Sequence, residues 1–485
     1  MPTQSEATTG LSEEIPADSH KLTRQLGLTD LVLTQILCVV GSAWVGVAAG
    51  LGRAQAVVWI AAIVLFYLPM AVAVYYLNRE MPLEGGLYVW ARTAFGDAAG
   101  FMTAWNLWAY GLCVTATIAD GIPTELAYLI GPAAAWLPEN HAAALGVLGV
   151  VLGGLTLSAL YGLALGKWIH NVSGAAMVGA FALLIVTPLW SMAHHVPLHY
   201  EPLAMSLPRA DLRSLALMGQ MFGALCGLEY IAILAGEAKA PARNIGRSVL
   251  ISSPIICAMF ILGTGAVLAF HEYHAGTAID FIAPIPQTLR FAFGNTGFGN
   301  AVAMAAILCV QMRLLGAASY AFTGVTRLPM TAGWDHLIPE WFARLSPGRR
   351  VPRNSILVSA GIVGALLVLG TLGVKAAEAF QVLSQTSVEL YMVAYLAMFA
   401  IPIAGAAALP GRLPRWVAWT TGVGFLFTLF SFVLTAFPFV DVVDPRAYAA
   451  KIVGTTLLAN GLGYGFYRWR NAGARQEPGA GPGTA

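Results

Sequence analysis

The chain has 485 residues, of which 58% are hydrophobic and 10% charged, with a formal net charge of +2. An average soluble domain carries about 25% charged residues, so a soluble globular fold is excluded. The absence of a basic cluster excludes nucleic acid as a partner, and the small net charge says nothing further.

A helix needs about 20 apolar residues to cross a hydrocarbon core of about 30 Å. Twelve stretches meet that need, at 29–50, 54–77, 98–130, 141–163, 168–192, 213–236, 248–270, 298–324, 354–373, 378–407, 415–436 and 447–467. The third and tenth are long enough to tilt or to run past the bilayer. Residues 1–26 contain Glu13, Glu14 and Asp18 and lack the apolar stretch of a cleavable signal, so they read as a solvated tail. Residues 471–485 are rich in Ala, Gly and Pro and are expected to be disordered.

Basic residues set orientation. The even-numbered connections and the tails hold most of them, including Lys21, Arg24, Arg79, Arg92, Lys167, Lys239, Arg243, Arg247, Arg349 and Arg350. The odd-numbered connections hold few, among them Arg53, Arg209, Arg290 and Lys451. This bias predicts an integral protein of the cell (inner or plasma) membrane with both termini cytoplasmic, which requires an even number of spans. The five cysteines all lie in apolar stretches without metal spacing and read as reduced and structural.

Two of the stretches are interrupted. The first break is Gly41-Ser42-Ala43-Trp44 and the second Cys226-Gly227-Leu228-Glu229, 186 residues on from Gly41 to Gly227. A break frees backbone N–H and C=O groups, which survive at membrane depth only where they line a protein cavity. The breaks fall in the first and sixth stretches. An offset of five places the two halves in opposite orientations, the arrangement of an inverted repeat with a midplane binding site.

At the first break, free N–H groups and the positive end of the following half-helix suit a carboxylate; close helix packing through Gly and Ser is the alternative. Trp44 packs or gates. In the second break Glu229 is the sharper residue. A carboxylate at membrane depth costs about 2.5–3.5 kcal/mol on insertion scales, and a group poised between protonated and ionised forms is what proton coupling requires. A structural Glu that fixes the broken helix fits equally well.

Gly227-Leu228-Glu229, followed by Gly236-Glu237-Ala238-Lys239-Ala240-Pro241-Ala242-Arg243-Asn244-Ile245, resembles the sixth helix and following loop of the amino acid–polyamine–organocation (APC) permeases. Pro82-Leu83-Glu84-Gly85-Gly86-Leu87-Tyr88 resembles that family's loop before helix 3. Asp335-His336-Leu337-Ile338-Pro339 with Phe342-Ala343-Arg344 resembles the loop after helix 8, and Val351-Pro352-Arg353-Asn354-Ser355-Ile356-Leu357 the start of helix 9.

The resemblance implies an all-α membrane protein of twelve transmembrane helices with the leucine-transporter-type 5+5 inverted repeat and broken helices 1 and 6. Residues 27–408 would form the ten-helix transport core and 409–470 accessory helices 11 and 12. It also implies a substrate site at Gly41, Ser42 and Ala43, where amides take a carboxylate, and at Gly223, Ala224, Leu225, Cys226 and Gly227, whose carbonyls take an amine. Glu229 falls on the carboxylate implicated in proton sensing in some members. Three departures stand out. Ala43 replaces a second glycine. Gly223 occupies a position that is often an aromatic gate, leaving Phe222 as the nearest ring and either a shifted gate or a larger pocket. Ala180 stands where many members carry a fifth-helix Lys that replaces a sodium ion, so the coupling ion is H+ or Na+.

Two further charges, Arg313 and Glu389, sit inside the eighth and tenth stretches. Such charges usually face the bundle interior and pair, so an Arg313–Glu389 ion pair is expected, or else an Arg313 that holds an acidic group of the substrate. Asp120 and Glu125, near the outer end of the third stretch, read as solvated. His194, His195, His199, His271 and His274 fall in two separate outer loops and read as loop residues, with no metal. Residues 271–296 form either an outer lid or a merely exposed loop.

The chain therefore reads as a secondary transporter of amino acids or related amines, working by alternating access with proton coupling or exchange. No enzyme constellation and no cofactor are expected. The partners are a small amino acid or amine and the bilayer, with the oligomeric state open. An amino-acid-binding sensor or receptor without turnover, or a polyamine or organocation transporter, would look alike.

Overall fold

The computed structural model describes residues 26–81, 86–161, 163–195, 197–227, 239, 241–274, 276–331, 338–346, 351–371, 376–440, 442 and 444–474. The described elements are helices: α1 (Leu28–Val39), α2 (Ser42–Ala49), α3 (Gly52–Glu80), α4 (Leu87–Phe95), α5 (Asp97–Asp120), α6 (Ile122–Ile130), α7 (His141–Tyr161), α8 (Leu163–Ala193) and α9 (Leu212–Ala224). They continue as α10 (Pro241–Tyr273), α11 (Pro284–Phe293), α12 (Gly297–Thr331), α13 (Glu340–Ala343), α14 (Arg353–Thr371), α15 (Ala376–Ala400), α16 (Arg415–Thr435) and α17 (Pro445–Ala474).

Among the described residues eight helices are long and apolar enough to cross a membrane, or nine when the bent pair α1–α2 counts as one span. Three of the twelve predicted stretches do not meet that test. The third is α5 followed at Gly121 by α6, where Pro123 sits in the first turn. The sixth is described only as far as Gly227, and the last lies within α17.

Local chemistry sets the joints. The Gly27 N–H donates to Asp30 Oδ2 at 2.8 Å and starts α1, and Asn171 on α8 donates to the other oxygen of the same carboxylate at 2.8 Å. Gly96, at φ +89°, makes the corner between α4 and α5 in a region that side chains disfavour.

The core forms where helices α5, α8, α12 and α15 pack together, with α1 seated between α8 and α10. Trp59 on α3 stacks on Phe260 of α10 with centroids 4.4 Å apart, and its indole N–H donates to Thr264 Oγ1 at 3.2 Å. The large ring buries its apolar body while its one polar atom is satisfied. Helices α16 and α17 lie outside this group and are tied to it. Trp105 Nε1 donates to Ala459 O at 2.8 Å, and Asn106 Nδ2 to Asn460 Oδ1 at 2.7 Å. Helices α7, α16 and α17 turn large apolar side chains outward, among them Val150, Leu157, Leu426 and Leu457. A continuous apolar exterior of this kind belongs against lipid.

The segment 271–296 is not a merely exposed loop. It contains α11, whose residues from Pro284 through Arg290 are buried. Asp280 folds its start, accepting from the amides of Ile282 and Ala283 at 2.9 and 3.0 Å. At its other end Arg290 donates to the carbonyls of Tyr128 and Leu129, the last acceptors of α6. A cation there complements the negative end of a helix. Helix α11 is thus clamped across the end of α6.

Candidate functional site

The first break lies at Val40 and Gly41, both in extended conformation, and α1 and α2 meet across it at 46°. Gly41 is needed for a steric reason. A Cβ there would come within 2.6 Å of Trp44 Cδ1, because the indole of Trp44 folds back over the break. The first amides of α2, beginning at Ser42, have no carbonyl a turn earlier to receive them. Ser42 is 1% exposed and its hydroxyl has no hydrogen-bond partner among the described residues. Ala43 is already inside α2, so the missing second glycine is not needed to leave the helix.

The second break opens at the end of α9. Ala224, Leu225 and Cys226 are buried, and Gly227 takes φ +122°. The Gly227 N–H donates to the Tyr395 hydroxyl on α15 at 2.8 Å, which satisfies a backbone donor freed by the break. Gly227 also lies against the first broken span: a Cβ on it would sit 3.1 Å from Cys38 Sγ. Glu229 and the Phe222 side chain lie outside the described residues.

Gly223 does not enlarge the pocket. A Cβ at that position would meet Val388 Cγ1 at 2.6 Å, so the room an aromatic gate would need is filled from α15. Val388, Tyr391 and Tyr395 follow one another at three- and four-residue steps, which puts them on one face of α15. Tyr391 stacks on Tyr110 of α5 at 3.7 Å and meets Tyr395 edge-on at 4.8 Å. That stripe was legible in the sequence as a helical spacing of Val, Tyr and Tyr, but nothing local showed which neighbour it faced.

The expected Arg313–Glu389 pair does not form. Glu389 accepts a hydrogen bond from Thr456 on α17 at 2.5 Å. Arg313, 6% exposed, instead interacts electrostatically with Glu125 of α6, the helix that packs against α12. The two acids near the outer end of the third stretch also differ from expectation: Glu125 is 1% exposed and Asp120 is half-buried. The proline-led turn into α6 swings Glu125 inward, toward α12. Ala180 is buried on α8. Among the outer histidines, His199 pairs with Glu201 at 2.9 Å and His194 bonds the Trp190 carbonyl at 2.9 Å.

Two breaks in buried backbone, meeting where Gly227 lies against Cys38, interrupt helical hydrogen bonding inside an apolar bundle. The model of a family described as amino acid permease matches residues 25–458. The chain belongs to the amino acid permease family. It is 26% identical to an uncharacterized transporter of Legionella pneumophila over 78% of this chain and 80% of the relative. It is 24% identical to the branched-chain amino acid permease BcaP of Lactococcus lactis subsp. cremoris, over 63% of this chain and 66% of that one. Its fold is similar to the crystal structure of MhsT in complex with L-phenylalanine. The TM-score is 0.59 at 14% identity, covering 84% of this chain and 97% of that one. This amino acid permease is thus an integral membrane protein of a transporter family.

Proposed function

We propose that this permease is a secondary active transporter that moves amino acids or related amines by alternating access. In this reading twelve spans form a leucine-transporter-type inverted repeat with both termini cytoplasmic. The amides of Ser42 and Ala43 hold the substrate carboxylate. The carbonyls around Ala224, Leu225 and Cys226 hold its amino group. The observation that carries this is the bent span itself: a buried helix start at Ser42, with an unpartnered hydroxyl, set against a second interrupted span. Trp44 over Gly41 is the gating ring. The names of BcaP and of the L-phenylalanine complex of MhsT support an amino acid as the substrate. Glu229 is the proton-coupling group, with Na+ as the alternative ion.

A thermal-shift screen of purified protein against amino acids, amines and small carboxylates tests the substrate class, because a ligand that binds the folded state raises apparent stability. An amino acid is expected to raise it. Stabilisation by polyamines alone would move the substrate class to organocations. For coupling, Glu229→Gln is expected to flatten the pH profile of uptake. Full uptake with an unaltered profile removes Glu229 from that role.

A further inference from the structure

Arg313 and Glu125 are opposite charges that face each other inside the bundle without bonding. Among the described residues, both carboxylate oxygens of Glu125 and the Nε of Arg313 have no hydrogen-bond partner. Leaving buried charges unbonded is expensive, and side chains as long as these ordinarily close on one another. The position of the couple is specific. Helix α12, which carries Arg313, packs on α1, and Cys38 of α1 lies against Gly227 at the second break. A Cβ on Gly121 would lie 3.6 Å from both Leu314 of α12 and Ile282 beside the lid helix α11. The couple therefore lies on two helices that pack against α11, and α12 also packs against the first broken span.

We propose that Arg313 and Glu125 form a proton-gated subsite for a second carboxylate, so that this permease takes amino acids with acidic side chains. This rests on the transporter reading above. The α-carboxylate goes to the amides of the first break, and the side-chain carboxylate goes to the guanidinium fork of Arg313, which matches a carboxylate in shape and charge. An ionised Glu125 repels that second anion and competes for Arg313. A protonated Glu125 removes the repulsion and offers an O–H donor to the same carboxylate. One proton therefore enters with each acidic side chain, and the two ligands raise each other's affinity by the same factor.

Other ionisable groups surround α6. Asp280 accepts from the Tyr128 hydroxyl at 3.0 Å, and Arg290 caps the end of the helix. Asp120 and His141 line a small surface pocket against it, together with Pro123 and Thr124. None of these four is the proton site in this proposal, which makes them controls.

The test measures binding by thermal shift, and counterflow in proteoliposomes, of L-glutamate, L-aspartate and L-leucine at acidic and neutral pH. L-glutamate or L-aspartate should bind roughly tenfold or more tighter than L-leucine, with affinity rising as pH falls. Arg313→Gln should remove that preference. Glu125→Gln should keep the binding and abolish its pH dependence, whereas Asp120→Asn and His141→Gln should leave the pH dependence in place. Should Arg313→Gln fail to fold, Glu125→Gln alone decides, since an unchanged pH dependence in that variant overturns the proposal. Exchange of L-leucine without exchange of either acidic amino acid overturns the subsite and leaves the transporter reading standing. Exchange of no amino acid removes the transporter reading as well.

Discussion

The two breaks solve the same physical problem in different ways. At the first, the chain leaves the helix at Val40–Gly41 and restarts at once, and the Ser42 hydroxyl has no partner among the described residues. At the second, the freed Gly227 amide is taken by Tyr395 and the flank at Gly223 is packed shut by Val388, both from α15. The first break keeps an unpartnered buried hydroxyl, while the second is latched to a neighbouring helix. A rearrangement of α15 relative to α9 must therefore make or release a defined hydrogen bond, and one relative to α1–α2 need not.

The largest expected effect comes from putting the family's aromatic residue back. Gly223→Phe should overpack against Val388 and lower stability by about 3 kcal/mol. Val388→Gly in the same chain should recover much of it, because contacting sites couple. Thermal unfolding of the two single variants and the double variant measures this, and a well-folded Gly223→Phe would mean α15 is not packed there. Gly41→Ala comes next. Its new Cβ meets Trp44 at 2.6 Å, so a loss of about 1–3 kcal/mol is expected, with thermal stability recovering when Trp44 is also reduced to Ala, because contacting sites couple. The smallest effect is at the latch. Tyr395→Phe strands the Gly227 amide at about 1–3 kcal/mol, at the lower end if water reaches it. It should change the rate of uptake more than the affinity for substrate, and equal rate and affinity to the native protein would show that the latch is idle.

Much of this was written in the sequence, and the part that was not has a common cause. Long apolar stretches and interrupted spans are local signals, so the helices and the bend at Gly41 could be read directly. Partner choice across helices is not local. Arg313 and Glu389 looked like a pair because they were the obvious charges in the eighth and tenth stretches, yet Glu389 is satisfied by Thr456 on the last helix. Glu125 looked solvated by its place near a helix end, but the turn at Gly121 and Pro123 carries it inward. Gly223 read as a shifted gate or a larger pocket, since the Val388 that packs against it lies 165 residues away in the chain.

The central claim is that the two breaks form a site through which an amino acid is carried. Counterflow measures this most directly. Purified protein is placed in liposomes loaded with an unlabelled amino acid that stabilises it, and entry of the labelled form is followed. The account expects concentrative entry in the native protein and loss of most of it in Gly41→Ala. Stabilisation by the amino acid with no counterflow would contradict it and leave a receptor that binds without turnover.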